Sequence, residues 1–246
     1  MPAVRPATSP AFGYDPVTRV IHWLAAVVIL TNAALGVSMV RIEPVDEATA
    51  ASIIRLFTIH KSLGLLSFAV ALARIGWAVT GARRPGPLHP ERRIETFAAA
   101  TVHWSLYGAM LVMPLSGWLY HAASPPYAPI PWPFGQGLPG IERSPDFALV
   151  LRTVHRMSSR VLYGAVALHL AGAFKHAIVN MDATIARMTS GLGAEATRAR
   201  TRLLPALAAL VLWAATVFAA VQTAPEPEAD PFSDIGADTL GEAPAP

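Results

Sequence analysis

Five stretches of this chain are apolar for long enough to cross a lipid bilayer, and that limits the fold more than any other feature. A helical crossing needs roughly 20 apolar residues. The first stretch runs from about Val17 to Val40, with Asp15-Pro16 as cap and first helical residue. The second runs from about Ala51 to Thr80. The third runs from about Arg93 to Ala122 and holds Pro114, where a kink is expected. The fourth runs from about Phe147 to Val179, and the fifth is LLPALAALVLWAATVFAAVQ, residues 203–222. The expected fold is an all-α membrane protein: a four-helix transmembrane bundle plus a fifth, C-terminal transmembrane helix.

Composition agrees. The chain is 53% hydrophobic and 14% charged, against about 25% charged in a soluble domain. It has no cysteine, which excludes disulfides, thiolate-held iron–sulfur clusters and haem attached through C-x-x-C-H. The net charge of +3 is no sign of nucleic-acid binding, because the arginines flank apolar runs, where lipid head groups lie. The start, MPAVRPATSP, lacks the basic-then-apolar layout of a cleaved signal peptide, so the first segment is expected to stay as a helix.

Charge asymmetry gives an orientation. GARRPGPLHPERRIET, between segments 2 and 3, holds four Arg against two Glu. Lys175, Arg187, Arg198, Arg200 and Arg202 follow segment 4, against Asp182 and Glu195. The first connection carries Arg41 and Arg55 against Glu43, Asp46 and Glu47. The positive-inside rule puts the N-terminus and the 2–3 loop in the cytoplasm. The Pro- and Gly-rich 3–4 loop, SPPYAPIPWPFGQGLPGIERSP, then caps the outer end. The last 24 residues, TAPEPEADPFSDIGADTLGEAPAP, carry six acids and no base and are expected to be a disordered periplasmic tail.

Histidine is the chemistry-bearing residue. Of eight, only His89 lies clearly in a loop; His22, His60, His103, His121, His155, His169 and His176 fall in or beside apolar segments. Ionisable residues at membrane depth are costly and usually face the bundle interior. His155 and His169 stand fourteen residues apart on segment 4, 40° short of four turns and about 21 Å along the axis. They leave one face at two depths, too far apart to share a metal ion. That spacing suits two stacked macrocycles, since imidazole is a common axial ligand of haem iron and a helix bundle can hold a porphyrin between facing helices. Depth then pairs His22 with His169 around an inner haem, and His60 with His155 around an outer one.

The same fourteen-residue step from His22 reaches Gly36, level with the outer haem, where a missing side chain leaves room for a ring. From His60 it reaches Arg74, level with the inner haem, where a guanidinium can pair with a propionate. From His103 it reaches Gly117. The bland alternatives are small-residue helix packing for the glycines and a positive-inside anchor for Arg74. His103 (inner) and His121 (outer) are open alternatives as ligands, or as partners of a propionate or quinone. His176, beside Lys175, suits an interfacial role. Arg152, Arg156 and Arg160 flank the outer level, to bind propionates, draw in an anion or snorkel to head groups.

YDPVTRVIHW, IHKSLGLLSFAVALARIGW, HWSLYGAMLVMPLSGWLYHAA and HRMSSRVLYGAVALHLAGAFKH, in that order, resemble the bacterial cytochrome b561 family over roughly residues 14–190. The resemblance implies a di-haem four-helix bundle in the bacterial inner membrane, with His22, His60, His155 and His169 as iron ligands. It implies electron transfer between the quinone pool, ubiquinone as substrate, and a donor or acceptor at the periplasmic surface. Some members look like superoxide:ubiquinone oxidoreductases. The alternative is a haem b subunit passing electrons for a partner oxidoreductase or periplasmic cytochrome c. A third reading, without haem, has the histidines bind a metal or carry protons. The chain is expected to divide into residues 1–190 as the di-haem domain, 191–222 as linker and fifth helix, and 223–246 as the tail. The fifth helix and acidic tail depart from the compact members.

Overall fold

The computed structural model describes residues 13–80, 85–133, 136–192 and 203–226. Regular structure among them is helical, with no strand. Most of the linker (193–202, with Arg198, Arg200 and Arg202) and of the acidic tail (227–246) lies outside the described residues, as do Arg83 and Arg84.

Five helices are long and apolar enough to cross a membrane. They are α1 (Pro16–Met39), α2 (Glu47–Thr80), α3 (Arg93–Ala123), α4 (Pro145–Phe174) and, after a short α5 (Thr184–Thr189), α6 (Leu203–Gln222). A π-helical turn, Lys175–Asn180, prolongs α4. The expected boundaries hold to within a few residues, except that α2 begins four residues earlier, at Glu47. Local chemistry sets the starts. Asp15 Oδ1 accepts from the Thr18 backbone at 2.9 Å with Pro16 following, and Ser144 Oγ accepts from Phe147 at 3.3 Å with Pro145 following. Each pairs an N-cap oxygen with a proline whose missing N–H costs nothing there. α3 continues through Pro114. The short α5 carries no apolar run of spanning length, which is why hydropathy alone does not find it.

Consecutive helices pack against each other around the bundle, and α6 lies on α3 and α4. The buried contacts are made largely by small residues: Ala25, Val70, Ala71 and Met110 in one cluster, and Ala123, Ala148 and Leu151 in another. Close helix approach through small side chains is the packing mode of membrane bundles, where lipid removes the hydrophobic drive between helices. Large apolar residues such as Val20, Val27, Leu168, Leu210 and Phe218 point outward and contact lipid. α6 is locked by Trp213, whose Nε1 donates to the Ser105 carbonyl at 3.1 Å. The indole fills the place where a side chain on Gly108 would overlap it.

The N-terminal end of the bundle is closed by backbone and charge. Gly13 N donates to Gly191 O, and Tyr14 N to Arg187 O. Arg19 and Trp23 on α1 donate to the carbonyls of Thr189 and Met188. Buried Arg187 reaches Gly86 O at 3.0 Å. The start of α1, the described part of the 2–3 loop and the segment after α4 therefore meet at one end.

Candidate functional site

The four histidines at matched depths face one another in pairs across the bundle. His60 on α2 and His155 on α4 have ring centroids 6.2 Å apart. His22 on α1 and His169 on α4 have theirs 6.1 Å apart. Two imidazoles on opposite sides of one metal ion have centroids about 6 Å apart, given bonds of about 2 Å to nitrogen and roughly 1 Å from nitrogen to ring centre. Both separations fit that geometry. Among the described residues no group of three or more His, Cys, Asp or Glu is arranged to hold a metal by itself. Two nitrogens per metal suit a macrocycle that brings the other four donors.

Donor chemistry at the far pair points the same way. His60 Nδ1 lies 3.1 Å from the Asn32 carbonyl, and His155 Nδ1 lies 3.1 Å from the Met113 carbonyl. A carbonyl only accepts, so each Nδ1 carries the proton and each Nε2 is left as the ligating nitrogen. Ser116 Oγ also stands 3.1 Å from the His155 Nδ1 and donates to Met113 O at 3.0 Å. The expected room at Gly36 is taken by an imidazole: a Cβ there would stand 3.1 Å from His60 Cε1. Gly117 is related to His155 in the same way, also at 3.1 Å from Cε1.

The near pair is a cluster of three. His103 on α3 lies with its ring centroid 5.1 Å from that of His169, edge to face. Its Nδ1 donates to Ala99 O at 2.6 Å. Arg74 lies within electrostatic reach of His22, His103 and His169. Its guanidinium sits over the Tyr107 ring, 5.2 Å from the centroid, and reaches the Tyr107 hydroxyl at 3.4 Å. No salt bridge engages Arg74 among the described residues, so its charge is available to an anionic group such as a propionate.

Arg156 is exposed on α4. It lies seven residues before Tyr163 and so on the same helix face. Tyr163 lines a groove of about 370 Å³ with Ala33, Ala34, Val37 and Ser38 of α1. Arg152 and Arg160 are exposed as well.

Two polar networks at the ends complete the picture. At the far end Lys61, next in sequence to His60, donates to the carbonyls of Tyr127 (2.5 Å) and Ala128 (3.1 Å) and to His121 Nδ1 (3.1 Å). Buried His121 in turn donates to Gln136 Oε1 at 3.1 Å. His121 thus ties the 3–4 loop to α2. At the near end the Asp182 carboxylate takes His176 Nδ1 at 2.6 Å and His89 Nε2 at 3.2 Å. Burial pushes that carboxyl up, but the bonds from Thr184 and His176 outweigh it and hold Asp182 well below the usual carboxylate range. Lys175 pairs with Glu95 beside it. Lys61, Asp182 and the two carbonyls were not legible as site residues. Main-chain acceptors leave no mark in a sequence, and Lys61 and Asp182 look like ordinary charges at span ends.

Comparison with known proteins gives the chain's relatives. Residues 13–191 match the family model described as prokaryotic cytochrome b561. The chain is also 28% identical over 177 residues to "Cytochrome b561 homolog 2" of Escherichia coli (strain K12), an alignment covering 71% of this chain and 90% of that one.

Proposed function

This chain belongs to the prokaryotic cytochrome b561 family and is thus a bacterial membrane protein that transfers electrons through haem b; we propose that it does so as a two-haem wire across the inner membrane. His60 and His155 hold the outer haem, and His22 and His169 the inner one. Electrons pass between the quinone pool, with ubiquinone as substrate, and a donor or acceptor at the periplasmic surface. Superoxide is the donor we favour, which makes the protein a superoxide:ubiquinone oxidoreductase. Residues 1–190 carry this function, 191–222 add the linker and fifth helix, and 223–246 form a periplasmic acidic tail. The N-terminus lies in the cytoplasm.

The observation that carries the reading is the pair of cross-helix histidine contacts at 6.1 and 6.2 Å, set at two depths by the fourteen-residue step on α4. Bound haem supplies one-electron chemistry, tuned by its ligands, hydrogen bonds and dielectric. The protein's own residues do the rest. Asn32 O and Met113 O hold the outer imidazoles in one tautomer. Arg74 offers a positive charge to an inner propionate, and Arg156 one at the outer level. The apolar faces keep water and protons from the interior. The bundle separates the two levels by about 21 Å along α4, which fixes the inter-haem step.

A pyridine haemochrome assay on detergent-purified protein tests the count. Two haem b per chain are expected. One is lost in His60→Ala and in His155→Ala, and the other in His22→Ala and in His169→Ala. A well-folded parent with no haem overturns the reading. Retention of both haems in one variant moves that ligand to His103 or His121. Superoxide-dependent quinone reduction by the two-haem protein then tests the donor.

A further inference from the structure

Gly36 and Gly117 belong to different helices and contact different histidines, yet they solve the same problem. In an α-helix the side chain of residue i+4 leans back over the turn before it and shields the carbonyl of residue i. A third group reaches that oxygen from the side more readily where position i+4 is bare. Asn32 O is met by His60 Nδ1 at 3.1 Å, and the residue four on is Gly36. Met113 O is met by His155 Nδ1 at 3.1 Å, and the residue four on is Gly117. In both cases a Cβ would come 3.1 Å from Cε1 of the same ring, close enough to push the ring away by a few tenths of an ångström. Gly108 makes similar room for the Trp213 indole, whose Nε1 meets the Ser105 carbonyl three residues before it, but no histidine is involved. Gly76, Gly164 and Gly172 have nothing within 4 Å of a Cβ, and Gly64 meets only Asn32 Nδ2 at 3.8 Å.

We propose that Gly36 and Gly117 are positioning residues of the outer haem. Each opens a main-chain carbonyl to the Nδ1–H of one axial histidine, and together they fix the tautomer, ring plane and basicity of both ligands. This rests on the reading that His60 and His155 are those ligands. An outer-shell acceptor at Nδ1 raises the basicity of a ligating imidazole and holds its orientation. A more basic ligand favours the oxidised metal. A lengthened Nδ1–H···O=C bond therefore raises the reduction potential of that haem. His22 and His169 have no hydrogen bond of this kind among the described residues, so the effect is confined to one haem.

The test uses detergent-purified holoprotein, with haem count, potentiometric titration and low-temperature EPR on Gly36→Ala, Gly117→Ala, the control Gly76→Ala and the reference His60→Ala. Alanine improves helix propensity over glycine, so any damage comes from the added Cβ. In both Gly36→Ala and Gly117→Ala, two haems are expected to remain. One potential moves upward with a changed EPR signal, and it belongs to the haem that His60→Ala loses. The other haem and Gly76→Ala match the parent. Unchanged potentials and EPR in both variants overturn the proposal, as does a shift in the haem that His60→Ala retains. Aggregation of both glycine variants under conditions where His60→Ala stays folded also overturns it, because the glycines then serve helix packing. If His60→Ala keeps both haems, the ligand reading itself fails and takes the proposal with it.

Discussion

The two ends of the bundle are built from the same residue, histidine, by different physics. At the far end each imidazole of the facing pair is fixed by a main-chain carbonyl and a bare helix face. Even Lys61 there bonds two carbonyls and an imidazole and meets no carboxylate among the described residues. At the near end three imidazoles crowd together under an arginine. Beside the backbone bonds of Gly13 and Tyr14, the closing contacts include ion pairs, Asp182 with His176 and His89 and Lys175 with Glu95. Backbone acceptors are fixed by the helices themselves and do not depend on salt or pH. Charges act over longer range but are screened and titrate. A haem on the backbone-held side should respond to changes in the helix surface beside its ligands, and one on the charge-held side to the loss of a single charge.

The crowding at the near end gives the largest expected effect. His22 and His103 both face His169, with centroids 6.1 and 5.1 Å away, but only the His22 separation fits a shared iron. His22→Ala should therefore lose one haem per chain, while His103→Ala keeps two and changes only the spectrum of the near haem. Haem quantification on the two purified variants decides it. The opposite result assigns the ligand to His103 and turns the near cluster into an α3–α4 pair.

Charge gives the next effect. Arg74→Gln removes a positive charge within reach of His22, His103 and His169. A unit charge about 10 Å away, at an effective dielectric of about 20, is worth on the order of 1–2 kcal/mol. For one electron that is a downward shift of some tens of millivolts. Potentiometry should show it in the near haem alone. Equal shifts in both haems would erase the distinction between the ends.

Much of this architecture was legible beforehand because it rests on periodicity. The five spans follow from apolar run length. The facing pairs follow from the fourteen-residue step and from alternating helix direction, which needs no knowledge of side-chain packing. The same arithmetic singles out Gly36 and Arg74 as candidates; the ring that stands beside Gly36 is the His60 imidazole. What escaped depends on the backbone or on contacts distant in sequence. Asn32 and Met113 act through carbonyls that every residue possesses. Lys61 meets His121 across 60 positions. Trp213 reads as one more apolar residue of a spanning helix until Gly108 is seen beneath it. The short α5 carries no apolar run of spanning length, and hydropathy does not tell the π-helical turn from the α-helix that it prolongs.

The smallest effect concerns pH and separates the ends in solution. Asp182 lies beyond the span of α4, and its carboxyl is held below the usual range by Thr184 and His176 against the opposing pull of burial. A carboxylate with a lowered folded-state value stabilises the fold fully above its unfolded value of about 4, and that contribution is lost as pH falls through and below it. Thermal unfolding of the detergent-solubilised protein should thus weaken between about pH 5 and 3, and Asp182→Asn should flatten that part of the curve while lowering stability at neutral pH. Lys61 and His121 at the far end involve no carboxylate, so Gln136→Leu should lower stability without changing the slope over the same interval. An acid dependence that survives in Asp182→Asn would mean that the near end is held by Glu95 and its partners, and that the Asp182 bridge only follows the fold.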